Sequence, residues 1–157
     1  MSSAGIPTLE VKAEDAQGIK LAVVASSWHR EIMDALIDGA NRAASDAGLE
    51  ADHYTAPGTL ELPVIAQGLV KKGYDALVAL GVVIKGGTPH FEYVCEGMTY
   101  GLMKVSVESG VPIGNGVLTC NTEEQAIDRS GVEGASEDKG YEATIAALHS
   151  AITLKSM

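Results

Sequence analysis

Short apolar runs alternate with longer amphipathic segments along most of the chain, and this alternation restricts the possible folds more than any other feature. The first run, residues 19–26 (IKLAVVAS), is almost continuously apolar, which is typical of a strand covered on both faces. Residues 31–47 follow with apolar side chains at helical spacing, which predicts a helix that ends at Gly48. The chain therefore opens with a strand followed by a helix.

The same order of strand and helix repeats to the end of the sequence. The later segments are a polar edge strand within 49–58, a helix within 60–72 that begins near Pro63, a strand over 74–84, a helix over 91–109, a strand over 112–119, a short helix over 122–130 and a closing helix over 137–154. This order predicts a three-layer α/β sandwich, with a four-stranded parallel sheet and helices on both faces. Because no repeat or linker interrupts it, residues 1–157 are expected to form one domain.

Charge and composition narrow the possible partners and location. The formal net charge is −10 and only 11 residues are Lys or Arg, so we expect no nucleic-acid partner. The longest apolar run, residues 76–84, is shorter than the roughly 20 residues of a membrane span.

The start of the chain does not resemble a signal peptide, and two distant cysteines make no disulfide framework, so a cytoplasmic protein is expected. Neither cysteine has a metal-ligand neighbourhood, and Cys95 is expected in the core.

Ligands of parallel α/β sheets bind beyond the carboxyl ends of the strands, so the turns that follow the strands are the candidate site. The turn 85–90 (KGGTPH) combines glycines that permit close approach with the Thr88 hydroxyl, the Lys85 charge and the His90 imidazole. The start of the next helix adds N–H groups that favour an anion. The glycines could equally serve only a tight turn, and the spacing matches neither a Walker loop nor GxGxxG.

Five stretches in chain order carry a resemblance to a known family. They are ASSWH at 25–29, PGTLELP at 57–63, ALGVVIKGGTPHFEYV at 79–94, NGVLTCNTEEQAIDR at 115–129 and EDKG at 137–140. Together they resemble the 6,7-dimethyl-8-ribityllumazine synthases, which implies a flavodoxin-like fold. The resemblance also implies a transferase that condenses 5-amino-6-(D-ribitylamino)uracil with 3,4-dihydroxy-2-butanone 4-phosphate, the penultimate step of riboflavin biosynthesis. It implies no metal and no organic cofactor.

The resemblance assigns most of the predicted site residues to the pyrimidine and its ribityl chain. These are Trp28, His29, Thr59, Leu60, Glu61, Val83, Ile84, Asn115 and Lys139. Trp28 would stack on the pyrimidine and Glu61 would accept hydrogen bonds from sugar hydroxyls. The alternatives are that Trp28 belongs to the core and that Glu61 complements a helix dipole. The family that this sequence resembles often has Asn at the position of His29 and Phe at that of Asn115, and positions that contact the ligand through backbone atoms tolerate such changes.

The remaining assignments concern the phosphate and proton transfer. Gly86, Gly87 and Thr88 match the anion cradle, although relatives often have a larger residue than Gly87, and Arg129 matches its charged partner. His90 matches the catalytic residue that moves protons. The alternatives are that Arg129 is a solvated cation at a helix end and that Lys139 is a surface lysine. A lysine at a helix start opposes the dipole, which favours a functional Lys139.

Other functions with the same fold stay open at this stage. A phosphoacceptor module would need an acidic cluster after the strands, which residues 22–28 (AVVASSW) lack. The closer alternatives are an inactive homologue that binds ribityl pyrimidines or forms shells, and an archaeal-type riboflavin synthase. Assays for lumazine formation and lumazine dismutation separate them.

The resemblance also implies assembly into a homo-oligomer with sites shared between adjacent subunits. One chain would supply Trp28 and the turns 59–61 and 85–90, and the next would supply Asn115, Arg129 and Lys139. Residues 1–18 form an extension in which residues 6–13 are expected to add a strand to a neighbour's sheet. In the family that this sequence resembles, a longer loop at the position of residues 131–138 accompanies pentamers, so the resemblance implies a homopentamer and not a shell of twelve pentamers.

Overall fold

A four-stranded sheet organises the part of the chain that the computed structural model describes, namely residue 5 and residues 7–157. Its strands are β1 (Leu21–Ser26), β2 (Ala51–Ala56), β3 (Ala76–Ile84) and β4 (Ile113–Cys120). All neighbouring strands are parallel and the order is β2-β1-β3-β4, so β2 and β4 are the edges. The predicted fold class and the edge position of the second strand are confirmed.

The helices are α1 (Ala13–Ala16), α2 (Arg30–Asp46), α3 (Leu62–Lys71), α4 (His90–Ser109), α5 (Glu123–Ile127) and α6 (Lys139–Ser156). All helices except the short α1, which was not predicted, occupy the predicted segments with small shifts at their ends. Residues Thr59–Glu61 form a 3₁₀ turn before α3, so this helix begins just before Pro63, which lies in its first turn. Proline is favoured there because its missing N–H would have no helical partner.

Two apolar layers cover the two faces of the sheet. On one face, Leu21 and Val23 of β1 pack with α2 and α6 in a cluster of buried residues. On the other face, Ala22 and Val24 pack with α3 and α4 in a second cluster. Alternate residues of a strand point to opposite faces, so a strand buried on both faces is mostly apolar. Every residue of β1 is buried, and all are apolar except Ser26 at its carboxyl end.

Glycines follow the carboxyl ends of α2 and α4. Gly48 follows α2 with φ = +70°, and Gly110 caps α4 with φ = +72°. Only glycine adopts this left-handed conformation without a steric cost, so both predicted helix stops are explained.

One packing expectation is wrong in part. Val94, Met98, Leu102 and Val105 form the buried side of α4, but Cys95 is half-buried and does not belong to the fully buried core. Cys95 lies close to the start of the helix, near the open end of the sheet, where less of the domain covers it. Burial still raises the pKa of its thiol, with a smaller contribution from Glu92.

The described residues of the amino-terminal extension include little regular structure. Residues 7–11 are outside any strand and are mostly exposed, and α1 follows them. Ile6, the first residue of the strand expected to add to a neighbour's sheet, lies outside the described residues. Within the described part of the chain, none of the helices has the length and apolar character needed to cross a membrane.

Candidate active site

A cleft of about 550 Å³ opens at the carboxyl ends of β1, β2 and β3. Three turns and the first turn of α4 surround it, as expected for a parallel sheet. The lining residues are Trp28, His29, Pro57, Gly58, Thr59, Leu60, Glu61, Val82, Val83, Ile84, Gly86, Thr88, His90, Phe91 and Val94. The structure therefore brings together ten of the fourteen residues predicted from the sequence.

The turn after β1 presents Trp28 to the cleft mouth. Its side chain is 68% exposed, which is incompatible with the alternative of a core tryptophan. The Ser27 hydroxyl donates a hydrogen bond of 2.9 Å to the Ala56 carbonyl and thereby joins the ends of β1 and β2. His29 follows with φ = +57° and ψ = +60°, and its carbonyl accepts the first hydrogen bond of α2 from Met33. An open aromatic face is therefore held on a well-anchored turn.

The turn after β2 places a hydroxyl and a carboxylate beside Trp28. Thr59 is 8% exposed because its methyl group packs where Gly81 of β3 lacks a side chain, and a Cβ there would lie 2.6 Å from it. A Cβ added to Gly58 would lie 3.1 Å from a carboxylate oxygen of Glu61 and 3.8 Å from the indole nitrogen of Trp28. The Trp28 ring and the Glu61 carboxylate thus share one corner of the cleft.

The turn after β3 contains two glycines that the fold itself does not require. Neither Gly86 nor Gly87 has a positive φ, and a Cβ added to either would meet no atom within 4 Å. The alternative that these glycines serve only a tight turn is therefore not supported. Thr88 and His90 are exposed beside this open space. The loop has room for a ligand to approach its backbone.

The helices that begin at the cleft differ from α5 and α6 in how they are capped. No side chain caps α2 at His29, α3 at Glu61 or α4 at Pro89. In contrast, Thr122 caps α5 and Asp138 caps α6. The first N–H groups of a helix have no partner within the helix and attract negative charge. Combined with the open cleft, this arrangement suits an anionic ligand.

Four predicted site residues do not line the cleft of a single chain: Gly87, Asn115, Arg129 and Lys139. Gly87 belongs to the cleft loop and is exposed. Asn115 lies exposed on the edge strand β4, where its side-chain oxygen accepts a hydrogen bond from the Val117 N–H. The three distant residues thus lie on this strand edge (Asn115), just after α5 (Arg129) and at the first position of α6 (Lys139).

Arg129 and Lys139 are close to each other although they are separated in sequence. The Lys139 N–H donates a hydrogen bond of 3.0 Å to the Arg129 carbonyl, next to a bridge between Ser130 and Asp138. Burial lowers the pKa of Lys139, but hydrogen bonds to Glu137 and Glu142 outweigh it and the pKa is raised. The side chain of Lys139 is therefore a charged group held at a fixed position, 27% exposed.

The cleft also has an apolar wall that was not predicted from the sequence, formed by Val82, Phe91 and Val94. Phe91 and Val94 occupy the first turns of α4, next to His90. Helical spacing could have identified Val94 as a wall residue, because it lies one turn after His90 and therefore on the same face of the helix. This wall complements the exposed Trp28 ring across the cleft mouth. Among the described residues, no three His, Cys, Asp or Glu side chains form a group that could hold a metal ion.

Comparisons with known proteins agree on one family. The sequence profile described as 6,7-dimethyl-8-ribityllumazine synthase matches residues 18–155. A protein of that name from Streptomyces coelicolor is 57% identical over 158 residues, which cover 100% of this chain and 97% of that protein. Proteins of the same name from Kocuria rhizophila and Corynebacterium kroppenstedtii are 55% and 52% identical, each over 157 residues. The alignment with the Kocuria rhizophila protein covers 98% of this chain and 99% of that protein. The alignment with the Corynebacterium kroppenstedtii protein covers 100% of this chain and 98% of that protein.

Proposed function

The chain belongs to the 6,7-dimethyl-8-ribityllumazine synthase family, and we propose that it makes this lumazine from 5-amino-6-(D-ribitylamino)uracil and 3,4-dihydroxy-2-butanone 4-phosphate. The observation that carries the proposal is the cleft, in which an exposed Trp28, the Glu61 carboxylate, an open glycine loop and His90 converge. Each part of the two substrates has a matching group there. The full-length similarity to proteins of that name supports the same conclusion.

We assign the pyrimidine and its ribityl chain to the side of the cleft formed by the turns after β1 and β2. The Trp28 ring stacks on the heterocycle, and backbone groups of His29, Val83 and Ile84 contact its edge. The Glu61 carboxylate accepts hydrogen bonds from ribityl hydroxyls, with Thr59 and Leu60 beside it. A carboxylate suits this role because it accepts several hydrogen bonds and donates none.

We assign the phosphate to the loop Gly86–Thr88 and the start of α4. The backbone N–H groups and the Thr88 hydroxyl donate hydrogen bonds to its oxygens, and the uncapped helix end favours its charge. The Arg129 guanidinium of an adjacent chain supplies two further donors. The substrate is thereby held with its carbon chain between the phosphate loop and the pyrimidine amine.

Proton transfer falls to His90, which lies between these two regions. The pyrimidine amine attacks the ketone and water leaves, forming an imine. A proton is then lost from the carbon skeleton as phosphate departs, and the enol formed tautomerises before ring closure expels a second water. Each step moves a proton, and imidazole both accepts and donates protons near neutral pH.

We further propose that the active unit is a homopentamer whose sites lie between adjacent chains. Support comes from the position of Asn115, Arg129 and Lys139 outside the cleft of a single chain. A second support is an apolar stripe on the outer face of α4, where four large side chains are 59–75% exposed: Tyr93, Tyr100, Met103 and Val107. Contiguous apolar surface of this kind marks an interaction face.

We also propose a cytoplasmic location. Cys95 and Cys120 are both free thiols, as is typical of a reducing compartment.

One assay with both purified substrates tests the reaction. We expect the absorbance of the lumazine to appear with release of one phosphate per lumazine. An inactive homologue would bind the pyrimidine and form no lumazine, and a riboflavin synthase would convert added lumazine to riboflavin. Either outcome would overturn the proposal.

A further inference from the structure

An ion pair spans the two ends of the glycine loop. The Lys85 ammonium, just before the loop, lies 3.2 Å from the Glu92 carboxylate in the first turn of α4. The same ammonium lies 5.9 Å from the centre of the Phe91 ring, within the range of a cation–π contact. Lys85 itself does not line the cleft, whereas Phe91 does.

Each end of the loop is anchored to a different layer of the fold. The Lys85 N–H donates a hydrogen bond of 2.9 Å to the Cys120 carbonyl at the end of β4. The Glu92 N–H donates one of 3.1 Å to the Pro89 carbonyl at the start of α4. Between these anchors, Gly86 and Gly87 have no side chains to restrict them. A contact between Lys85 and Glu92 therefore reduces the number of conformations open to the loop.

The pair also removes the positive charge that the sequence predicted for this turn. Glu92 neutralises Lys85, and both are about half exposed, at 48% and 50%. An ion pair this exposed adds little to global stability, so its effect is expected to be local. A lysine that bound phosphate directly would instead gain from the absence of a carboxylate partner.

We propose that Lys85 and Glu92 are positioning residues, whose ion pair holds the Gly86–His90 loop and the Phe91 wall in the conformation that receives the phosphorylated substrate. Lys85 is not a phosphate ligand in this scheme. The inference rests on the proposed lumazine synthase function. It differs from the roles given to Arg129 and Lys139, which meet the substrate from the adjacent chain.

The Glu92→Gln variant separates positioning from direct binding, because the two roles predict opposite signs. Positioning predicts a KM for 3,4-dihydroxy-2-butanone 4-phosphate that is about two- to fivefold higher, the range expected for an exposed ion pair. The KM for the pyrimidine should be unchanged. Direct binding by Lys85 predicts a lower KM for the phosphorylated substrate, because the substitution frees the ammonium. A lower or unchanged KM would overturn the proposal.

A double-mutant cycle with Lys85→Met completes the test. If the two side chains act only as a pair, the Lys85→Met/Glu92→Gln chain should be no more impaired than either single variant. Additive losses would show independent roles and contradict the inference. Glu108→Gln is the matched control, since it breaks the Lys104–Glu108 pair on the same helix, away from the cleft. Wild-type lumazine formation in the same assay shows that the proposed function holds whatever the variants do.

Discussion

At the scale of single residues, His29 is the most unusual position in the described part of the chain. It is the only non-glycine residue there with a positive φ, at +57°. Left-handed backbone costs an L-residue about 1–2 kcal/mol, and such strain concentrates at functional sites. Among non-glycine residues, Asn, Asp and His adopt this conformation more often than the rest. The positive φ sets the direction of the chain between Trp28 and α2.

Replacing His29 by glycine should relieve this strain. We expect His29→Gly to raise the free energy of unfolding by about 0.5–1 kcal/mol. Relief of the backbone strain stabilises the folded state, and the greater conformational entropy of glycine in the unfolded chain offsets part of this gain. Urea unfolding at a fixed protein concentration measures it. His29→Ala is the control, because alanine keeps the steric cost and should bring no gain. Equal stabilisation by both variants would attribute the effect to the imidazole and not to φ.

The proposed proton carrier His90 gives a second prediction at this scale. His90→Ala should lower kcat by about 10²-fold or more, because general acid–base catalysis contributes that much. Binding of the pyrimidine should be almost unchanged, since its contacts lie at Trp28 and Glu61. Trp28 is the only tryptophan and is exposed, so its fluorescence reports that binding directly. Wild-type turnover in this variant would remove His90 from the mechanism.

At the scale of elements, sequence periodicity predicted every strand and every long helix, because strands and helices have different apolar spacings. It failed where the environment of an element changes along its length. The start of α4 carries the same apolar pattern as its middle, but Phe91 and Cys95 lie near the open cleft and are only half-buried. Periodicity identifies a face of a helix and does not distinguish core from cleft wall.

The contact between α3 and α4 depends on a glycine that the sequence pattern does not distinguish from its neighbour. A Cβ at Gly101 would lie 2.6 Å from Cγ of Pro63, a rigid ring, whereas one at Gly97 would lie 3.4 Å from the flexible end of Leu60. We expect Gly101→Ala to lower the free energy of unfolding by about 1–3 kcal/mol through overpacking. Gly97→Ala should raise it by up to about 1 kcal/mol, since alanine favours helix.

Thermal or urea unfolding of the two variants compares them under one condition. They have the same chemical change, lie one helical turn apart and differ only in what the new methyl group meets. If both variants stabilise the protein, α4 moves away from Pro63 without cost, and the close approach of the two helices is not a constraint.

At the scale of the whole molecule, the site residues predicted from the sequence do not all meet in a single chain. Trp28, Glu61 and His90 converge because one sheet end collects the turns of one chain. Arg129 and Lys139 lie together elsewhere, joined by the backbone contact before α6. Spacing along a sequence does not encode which surface meets a second copy. Their assignment rests on family resemblance, and its test requires the assembly.

Shared sites predict that two inactive chains restore activity when they assemble together. His90→Ala and Arg129→Ala should each lose most activity alone, the second because the phosphate loses a charged hydrogen-bond donor. In a ring assembled at random from equal amounts, about one quarter of the interfaces join an intact His90 to an intact Arg129, since a head-to-tail contact pairs different surfaces. About a quarter of wild-type activity should therefore return on co-expression.

Co-expression of His90→Ala with the chain that carries both substitutions is the control and should restore none. Light scattering establishes that mixed assemblies of about five chains have formed. If they form without recovery of activity, Arg129 and His90 do not meet across subunits, and each site belongs to one chain or omits Arg129.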